Sequence, residues 1–358
     1  MKTVKFVGKD KSAFAATLKK NVHDYFKEKG ISTKGNWTLV VKSILLIAFY
    51  IAPFVLLLTL PLYGWVVFPF AVLMGLAMAG IGMAVMHEAA HGSAFKKRWV
   101  NKLFGRTIYL MGSSAFNWKV QHNVNHHTFT NIDGFDEDME SPLVLRFSEQ
   151  GRLRKMHRFQ YIYFYFFYSL MTLTKFIMDF VQLHNYNKKG VTVAQNAKPK
   201  REYAKMIVVK VVYLFTAIVL PSLITDFAWW QIVLGFIIVH LTAGLIMSLI
   251  FNMAHLVEGA EQPLPDENLH IENEWVIHQL QTTANFARHN RVLNWFVGGL
   301  NFQIEHHLFP NICHIHYPDI SLIVEKTANE FGIPYNSKPS FAKAVGSHIR
   351  ILKGLGRK

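Results

Sequence analysis

A chain of 358 residues that is 51% apolar and only 17% charged is too greasy for an ordinary soluble domain, where about a quarter of residues are charged. Its net charge of +15 points to an anionic surface or partner, while long uncharged apolar runs argue against nucleic acid as that partner. The single cysteine, Cys313, excludes an internal disulfide and any thiolate-built zinc or iron–sulfur site.

In chain order, the first 36 residues carry nine Lys, no Arg and no apolar core. They are predicted to be a basic cytosolic segment, neither a secretory signal nor a transit peptide. Residues 43–86 contain no charged side chain. One helix of that length would reach about 66 Å at ~1.5 Å per residue, twice the ~30 Å hydrocarbon core. Two crossings, 43–62 and 65–86, are therefore predicted, broken around Pro61 to Gly64. A second pair follows at 206–225 and 229–251, broken around Pro221 to Asp226. The stretch 100–116 is apolar but short. The stretch 159–183 is apolar yet carries Lys175, Asp179 and a crowd of Tyr and Phe, which favour the interface. Both are predicted to be interfacial or re-entrant helices, which leaves four crossings.

Lys and Arg number nineteen between residues 95 and 210 and are absent from the two tight connections. The positive-inside rule then puts both termini and the long central segment in the cytosol. The predicted fold is an all-α integral membrane protein of four transmembrane helices with a cytosolic helical cap and interfacial helices. Its parts are a basic N-terminal segment (1–36), a membrane domain (37–320) and a cytosolic tail (321–358).

Eighteen histidines are the unusual feature of the composition. His87-Glu88-Ala89-Ala90-His91 stands where the second crossing ends, and residues four apart on a helix share a face and can reach one metal. This is also the zinc-protease spacing, and alone it leaves both readings open. His122-Asn123-Val124-Asn125-His126-His127 repeats the pair and adds a histidine one position on, about 100° further around an α-helix, so that this helix can serve two ions. Gln303-Ile304-Glu305-His306-His307 gives another adjacent pair. Seven histidines on one side of a membrane are too many for one ion and about right for two. A metal transporter would place such ligands inside the crossings rather than at their ends, and a zinc protease would leave two clusters unexplained.

The motifs HEAAH, HNVNHH and QIEHHLFP resemble the three histidine boxes of the membrane fatty-acid desaturase superfamily, over about residues 43–320. The Gln opening the third box, with TNIDGFDEDMESPL and HQLQTTANF, resembles its front-end branch, which inserts a double bond between an existing one and the carboxyl end. That resemblance implies two non-haem iron ions, O2 as oxidant and an external electron donor. It implies a fatty acyl substrate carried on CoA, a carrier protein or a phospholipid. No HPGG haem motif occurs, so electrons are expected from a separate ferredoxin or b-type cytochrome. A multi-pass location follows, in a bacterial inner membrane or the endoplasmic reticulum, with the site on the cytosolic face. Carried over box by box, the ligands are His87, His91, His122, His126, His127, His306 and His307. His255, three residues after Asn252 at the end of the last crossing, is expected to complete the shell, with Asn252 and Gln303 as further contacts.

His278 is a candidate neighbour of the site, and His240, inside the fourth crossing, is expected to bond another helix. Cys313, His314 and His316 are expected to begin the C-terminal fold rather than bind metal. Glu88, Asp133, Asp136, Asp138 and Glu305 are candidates to accept the distal N–H of a ligand imidazole. A fatty acyl hydroxylase or a sphingolipid desaturase on the same scaffold shares the boxes.

Overall fold

The Asn36 side chain accepts a hydrogen bond from the Thr38 N–H at 2.9 Å and caps the first long helix, Trp37–Thr59. Pro61 ends it, since proline lacks an N–H and disfavours helix in the residue before it. In this computed structural model, which describes residues 4–8, 13–139 and 143–357, four helices are long and apolar enough to cross a membrane. They are Trp37–Thr59, Gly64–Ala90, Pro199–Ile224 and Trp229–His255. All four extend past the predicted apolar runs at one common end: Trp37 against 43, Ala90 against 86, Pro199 against 206 and His255 against 251. Apolarity marks only the part of a helix that faces hydrocarbon. The hydrogen-bond ladder continues where Lys42, Glu88, Lys200 and Arg201 find partners or water.

The second and fourth helices form the centre of the bundle, packed through Met74, Met78, Val239, Ala243 and Met253. The second has 61% of its apolar window buried and the third only 17%, so the third is the one turned toward lipid.

The stretch 159–183 is not a fifth straight crossing. The helices Lys155–Ser169 and Met171–Lys188 meet at 75°. Their elbow reaches into the bundle, where the Thr172 hydroxyl donates to the His240 carbonyl at 2.9 Å. His240 lies about 22 Å of helix from His255 at ~1.5 Å per residue, so the elbow lies deeper than an interfacial helix would. Gly244 makes the approach possible, because a Cβ there would lie 2.3 Å from the Ser169 carbonyl oxygen. Gly244→Leu is therefore expected to lower the thermal unfolding midpoint of the solubilised protein by several degrees, whereas exposed Leu234→Ala on the same helix should leave it nearly unchanged.

Outside the bundle, Phe14, Leu18, Val22 and Phe26 recur every four residues on the helix Phe14–Lys29 and bury against Ile320, Val324 and Ala328 of Tyr317–Glu330. The last helix, Phe341–Leu355, packs Leu352 and Leu355 with Phe164 and Tyr168 of the bent pair. Two short parallel pairings, Lys5–Phe6 with His270–Ile271 and Asn285–Phe286 with Ser337–Lys338, are the strands among the described residues. The described residues are otherwise helical or irregular, as the lengths of the apolar runs predicted.

Candidate metal centre

The second long helix changes to an i→i+5 ladder over Ile81–Met86 and resumes α-helix at His87–Ala90, the first box. Gly92, at φ 71°, ends it just past His91. The third box lies on Gln303–Leu308, six residues that are all buried. Its approach turn is Gly298-Gly299, at φ 63° and 75°. A Cβ on Gly298 would sit 2.5 Å from the Ala84 Cα, and one on Gly299 2.5 Å from the His314 Cβ. Only glycine allows the third box to close against the second helix beside the first box.

The second box departs from its predicted form. Ser114 caps Ala115–Trp118, and Lys119–His126 then runs as an i→i+5 ladder rather than an α-helix. The wider turn sets both His126 and His127 against His122, with ring centroids 5.1 and 4.9 Å away. Segments with such ladders occur often at functional sites, because they re-aim side chains that an α-helix would separate.

These elements and the end of the fourth long helix bring all eight expected histidines together. The ligand-capable atoms of His87, His91, His122 and His306 lie within 4.8 Å of one another, and so do those of His126, His255 and His307. His127 groups with His306 and His307, its ring 4.7 and 4.4 Å from theirs. It also lies 4.7 Å from His91, between the two sets.

The donors fit a metal. Buried nitrogens of His91, His126, His127, His255 and His306 have no hydrogen-bond partner, a costly condition that cations between the rings would remove. Burial and the neighbouring imidazoles hold His91, His127, His306 and His307 well below the usual imidazole range, which keeps them neutral, the form that ligates metals. His126 is the exception: burial alone lowers it, but the Asp136 carboxylate outweighs that and raises it.

Two of the expected acids bond candidate histidines. His122 Nδ1 donates to Asp138 at 2.7 Å and His126 Nδ1 to Asp136 at 2.9 Å, which turns each Nε2 inward. Burial would raise the Asp138 carboxyl, but the bond from His122 overrides it and holds the group well below its ordinary range. Asp136→Asn is expected to weaken metal binding by about 10–100-fold in a metal titration with the protein still folded.

The other expected acids serve elsewhere. Glu88 binds His314 Nδ1 at 2.5 Å and the Ser93 hydroxyl at 2.5 Å, and Lys42 donates to the other His314 nitrogen at 2.7 Å. Both ring nitrogens of His314 are thus engaged, and the Glu88, Cys313 and His314 cluster ties the first two long helices to the segment after the third box. Glu305 accepts from Asn285 and Tyr335, each at 2.8 Å, and burial pushes its carboxyl up to about 7. Asp133 is exposed.

Gln303 places its amide nitrogen 2.9 Å from His255 Nε2 and 3.2 Å from His307 Nε2, at the open side of the second set. Asn252 turns its amide back to the Ser248 carbonyl at 2.9 Å. His278 donates to the Thr130 carbonyl at 2.9 Å and is held down to about 4 by burial. His240 bonds Tyr213 at 2.9 Å and Thr172 at 3.0 Å, joining helices as expected.

Sequence reasoning missed Gln279 and Thr130. They flank His307 Nδ1 at 2.8 and 3.2 Å and bond each other at 2.9 Å. It also missed Asn131, at φ 59°, whose amide ties the carbonyls of His255, Glu261 and Thr282 at 3.0–3.1 Å. The stretches TNIDGFDEDME and HQLQTTANF held these residues, but nothing in their spacing names a partner.

A model of the fatty acid desaturase family matches residues 63–339. The chain is 33% identical to an sn-1 linoleoyl-lipid 6-desaturase of Synechocystis over 97% of its length and 96% of that protein's. It is 32% identical to an acyl-lipid (8-3)-desaturase of Physcomitrium patens, over 99% of this chain and 74% of the relative. A Mortierella alpina acyl-lipid (8-3)-desaturase is 31% identical, over 96% of this chain and 78% of the relative.

Proposed function

This chain belongs to the fatty acid desaturase family, and on that premise we propose a front-end reaction on lipid-linked acyl chains at a di-iron centre. The oxidant is O2, and two electrons come from a separate ferredoxin or b-type cytochrome. The observation that carries this reading is the convergence of eight buried or half-buried imidazoles into two sets that share a middle, a donor count suited to two ions. The ligands in this reading are His87, His91, His122, His126, His127, His255, His306 and His307, with Gln303 beside the second ion.

Bound iron supplies the redox chemistry that takes two hydrogens from adjacent unactivated methylenes, which no acid–base side chain can do. Per turnover, O2, two electrons and two protons are consumed, and a cis alkene and two waters form. The chain's own residues prepare for this. Asp136, Asp138 and Gln279 hold the outer imidazole nitrogens so that the inner ones face the ions. Burial of the boxes keeps water away from the reacting carbons.

An apolar cavity of about 510 Å³ lies among the four long helices, lined by Tyr50, Phe54, Ala71, Met74, Val212 and Val239. Met74 is about 20 Å of helix from His87 at ~1.5 Å per residue, a depth suited to the methyl end of a long acyl chain. Ala71→Phe is expected to shift the product ratio toward shorter acyl chains when C16 and C18 substrates compete. An unchanged ratio would place the methyl end elsewhere.

Two observations favour a lipid-linked substrate over acyl-CoA. The relatives named above act on linoleoyl-lipid and other acyl-lipid substrates. A recess of about 410 Å³ bordering His255 is also lined by Asp133 and Glu149 with a single Arg350, a poor match for polyanionic CoA. The topology of this reading has the histidine end in the cytosol.

The test is the fatty-acid profile, by gas chromatography and mass spectrometry with double-bond location, of a host expressing the protein and fed C18 substrates. A new cis double bond on the carboxyl side of an existing one supports the reading. A hydroxylated product would overturn it in favour of the sibling chemistry.

A further inference from the structure

Lys175 is a cation inside the apolar stretch 159–183, half-buried on Met171–Lys188, the second helix of the bent pair. Its carbonyl accepts from the Lys210 ammonium at 2.9 Å, which fixes the backbone from which its side chain starts. Its own ammonium donates to Gln121 Oε1 at 2.8 Å. Gln121 Nε2 donates in turn to Asp138 Oδ1 at 2.6 Å, and the other oxygen of that carboxylate accepts from His122 Nδ1 at 2.7 Å. One amide thus stands between a cation and the carboxylate that bonds a histidine of the first set. Further along the same helix, Gln182 donates to the same Gln121 oxygen at 2.8 Å and to Glu137 at 3.2 Å, and Tyr186 also donates to Glu137. Positions 175, 182 and 186 share a face of that helix, so one element holds the whole chain of contacts in place.

The second set has no counterpart to this chain. Asp136 bonds His126 Nδ1 at 2.9 Å and accepts the backbone N–H of Asn131 at 2.8 Å and of Asp138 at 3.0 Å. Among the described residues its one ion-pair partner is His126 itself. The carboxylates that bond a histidine in each set therefore differ in their load: one has a cation an amide away, and the other has only backbone donors.

We infer that Lys175 acts through Gln121 to weaken the pull of Asp138 on the His122 N–H, and so makes the ion of the first set easier to reduce than the ion of the second. The inference rests on the di-iron reading and adds an order to it, namely which ion takes its electron first. A carboxylate that draws on the N–H of a metal-bound imidazole makes the ring a stronger donor and favours the ferric ion. A cation at the end of a hydrogen-bond chain polarises each bond along it, so Asp138 is more fully engaged by Gln121 and has less to give His122. Asp136 carries no such load and keeps its full effect on His126. Each ion changes from ferric to ferrous by one electron from the external donor that the reaction already needs. Lys175, Gln121 and Asp138 transfer no proton and break no bond in that step. Lys175 is a positioning residue in this assignment and touches neither substrate nor metal.

The experiment is a potentiometric titration of the iron-loaded protein in lipid nanodiscs. Samples are poised with dithionite and mediators and read by Mössbauer spectroscopy, which counts the two ions separately. Wild type is expected to give two iron environments with distinct midpoints. Lys175→Gln, which loses the charge but keeps a hydrogen-bond donor, is expected to lower the higher midpoint by about 59 mV, a tenfold change in a one-electron equilibrium. The lower midpoint should move by less than about threefold in the same terms, and Lys175→Arg should leave both near wild type. Gln121→Leu should lower the same midpoint, and Lys175→Gln added to it should change little further, because contacts in one chain are not additive. Loss of thermal stability in Lys175→Gln with both midpoints unmoved would make the residue a brace and overturn the inference. Equal shifts of both ions would show a long-range field in place of the chain and overturn it too. Wild-type protein with fewer than two irons would sink the di-iron reading and this inference with it, whereas two irons with unmoved midpoints sink the inference alone. Should Lys175→Gln fail to load iron, Glu137→Gln decides. It removes an anion beside Gln182 and should raise the higher midpoint, and no rise would overturn the inference.

Discussion

Replacing His307 with alanine is expected to reduce desaturation below detection and to lower bound iron from two per chain toward one, with the protein still inserted in the membrane. His307 is the point where three supports meet. Its Nε2 faces His126 and His255 in the second set, its Nδ1 is held by Gln279 at 2.8 Å, and its ring stacks on His127 at 4.4 Å. Removing it leaves the second set with two imidazoles, fewer than a divalent ion of this kind needs. The fold should survive, because the helix Gln303–Leu308 is anchored by the Gly298-Gly299 turn rather than by this side chain. Iron by mass spectrometry and product by gas chromatography check this together. Normal activity with two irons would remove His307 from the ligand set. His240→Asn is the matched control, since His240 bonds Tyr213 and Thr172 far from the centre and should leave iron content unchanged.

Lys210→Met is expected to cost about 3–5 kcal/mol in stability, the effect of leaving one partner of a buried ion pair alone. Lys210 lies inside the third long helix and is almost fully buried, and its ammonium binds Asp179 at 2.8 Å and the carbonyls of Gly112 and Lys175 at 3.0 and 2.9 Å. An ionisable group at such a place needs a reason, and the geometry supplies one. The other contacts of Asp179 are the Ser114 N–H at 3.0 Å and, through its carbonyl, the Asn117 amide at 2.7 Å. Ser114 caps the helix that carries the whole second box. The pair thus fixes where that helix starts, and with it the three box histidines. Loss of Lys210 should therefore lower iron affinity as well as stability. The double variant Lys210→Met with Asp179→Leu removes both charges and should recover stability more than it recovers iron binding. Equal recovery of both would show that the pair acts only as a brace.

The sequence by itself singled out the four long apolar helices, the apolar stretch 159–183 and seven of the eight histidines that the fold gathers; the eighth, His255, came from the family resemblance. The reason in each case is local. A hydrocarbon slab of fixed thickness selects apolar runs of fixed length, proline breaks them, and ligands that share an ion recur at the spacing of one helical turn. The third box could be named for the same reason, since two adjacent histidines beside a glutamine need no partner to be noticed.

Only the tertiary structure decided which acids bond those histidines. Glu88 and Glu305, inside the boxes, point away from them, whereas Asp136 and Asp138 come back across a turn to His126 and His122. The i→i+5 ladder under the second box was equally hidden, because its sequence is compatible with an ordinary α-helix until packing selects the wider turn. Gln279 and Thr130 reach His307 from segments 28 and 177 residues away in the chain. A hydrogen bond of a few kcal/mol at most leaves no periodicity behind, so contacts of that kind exist for a reader only once the helices have been assembled.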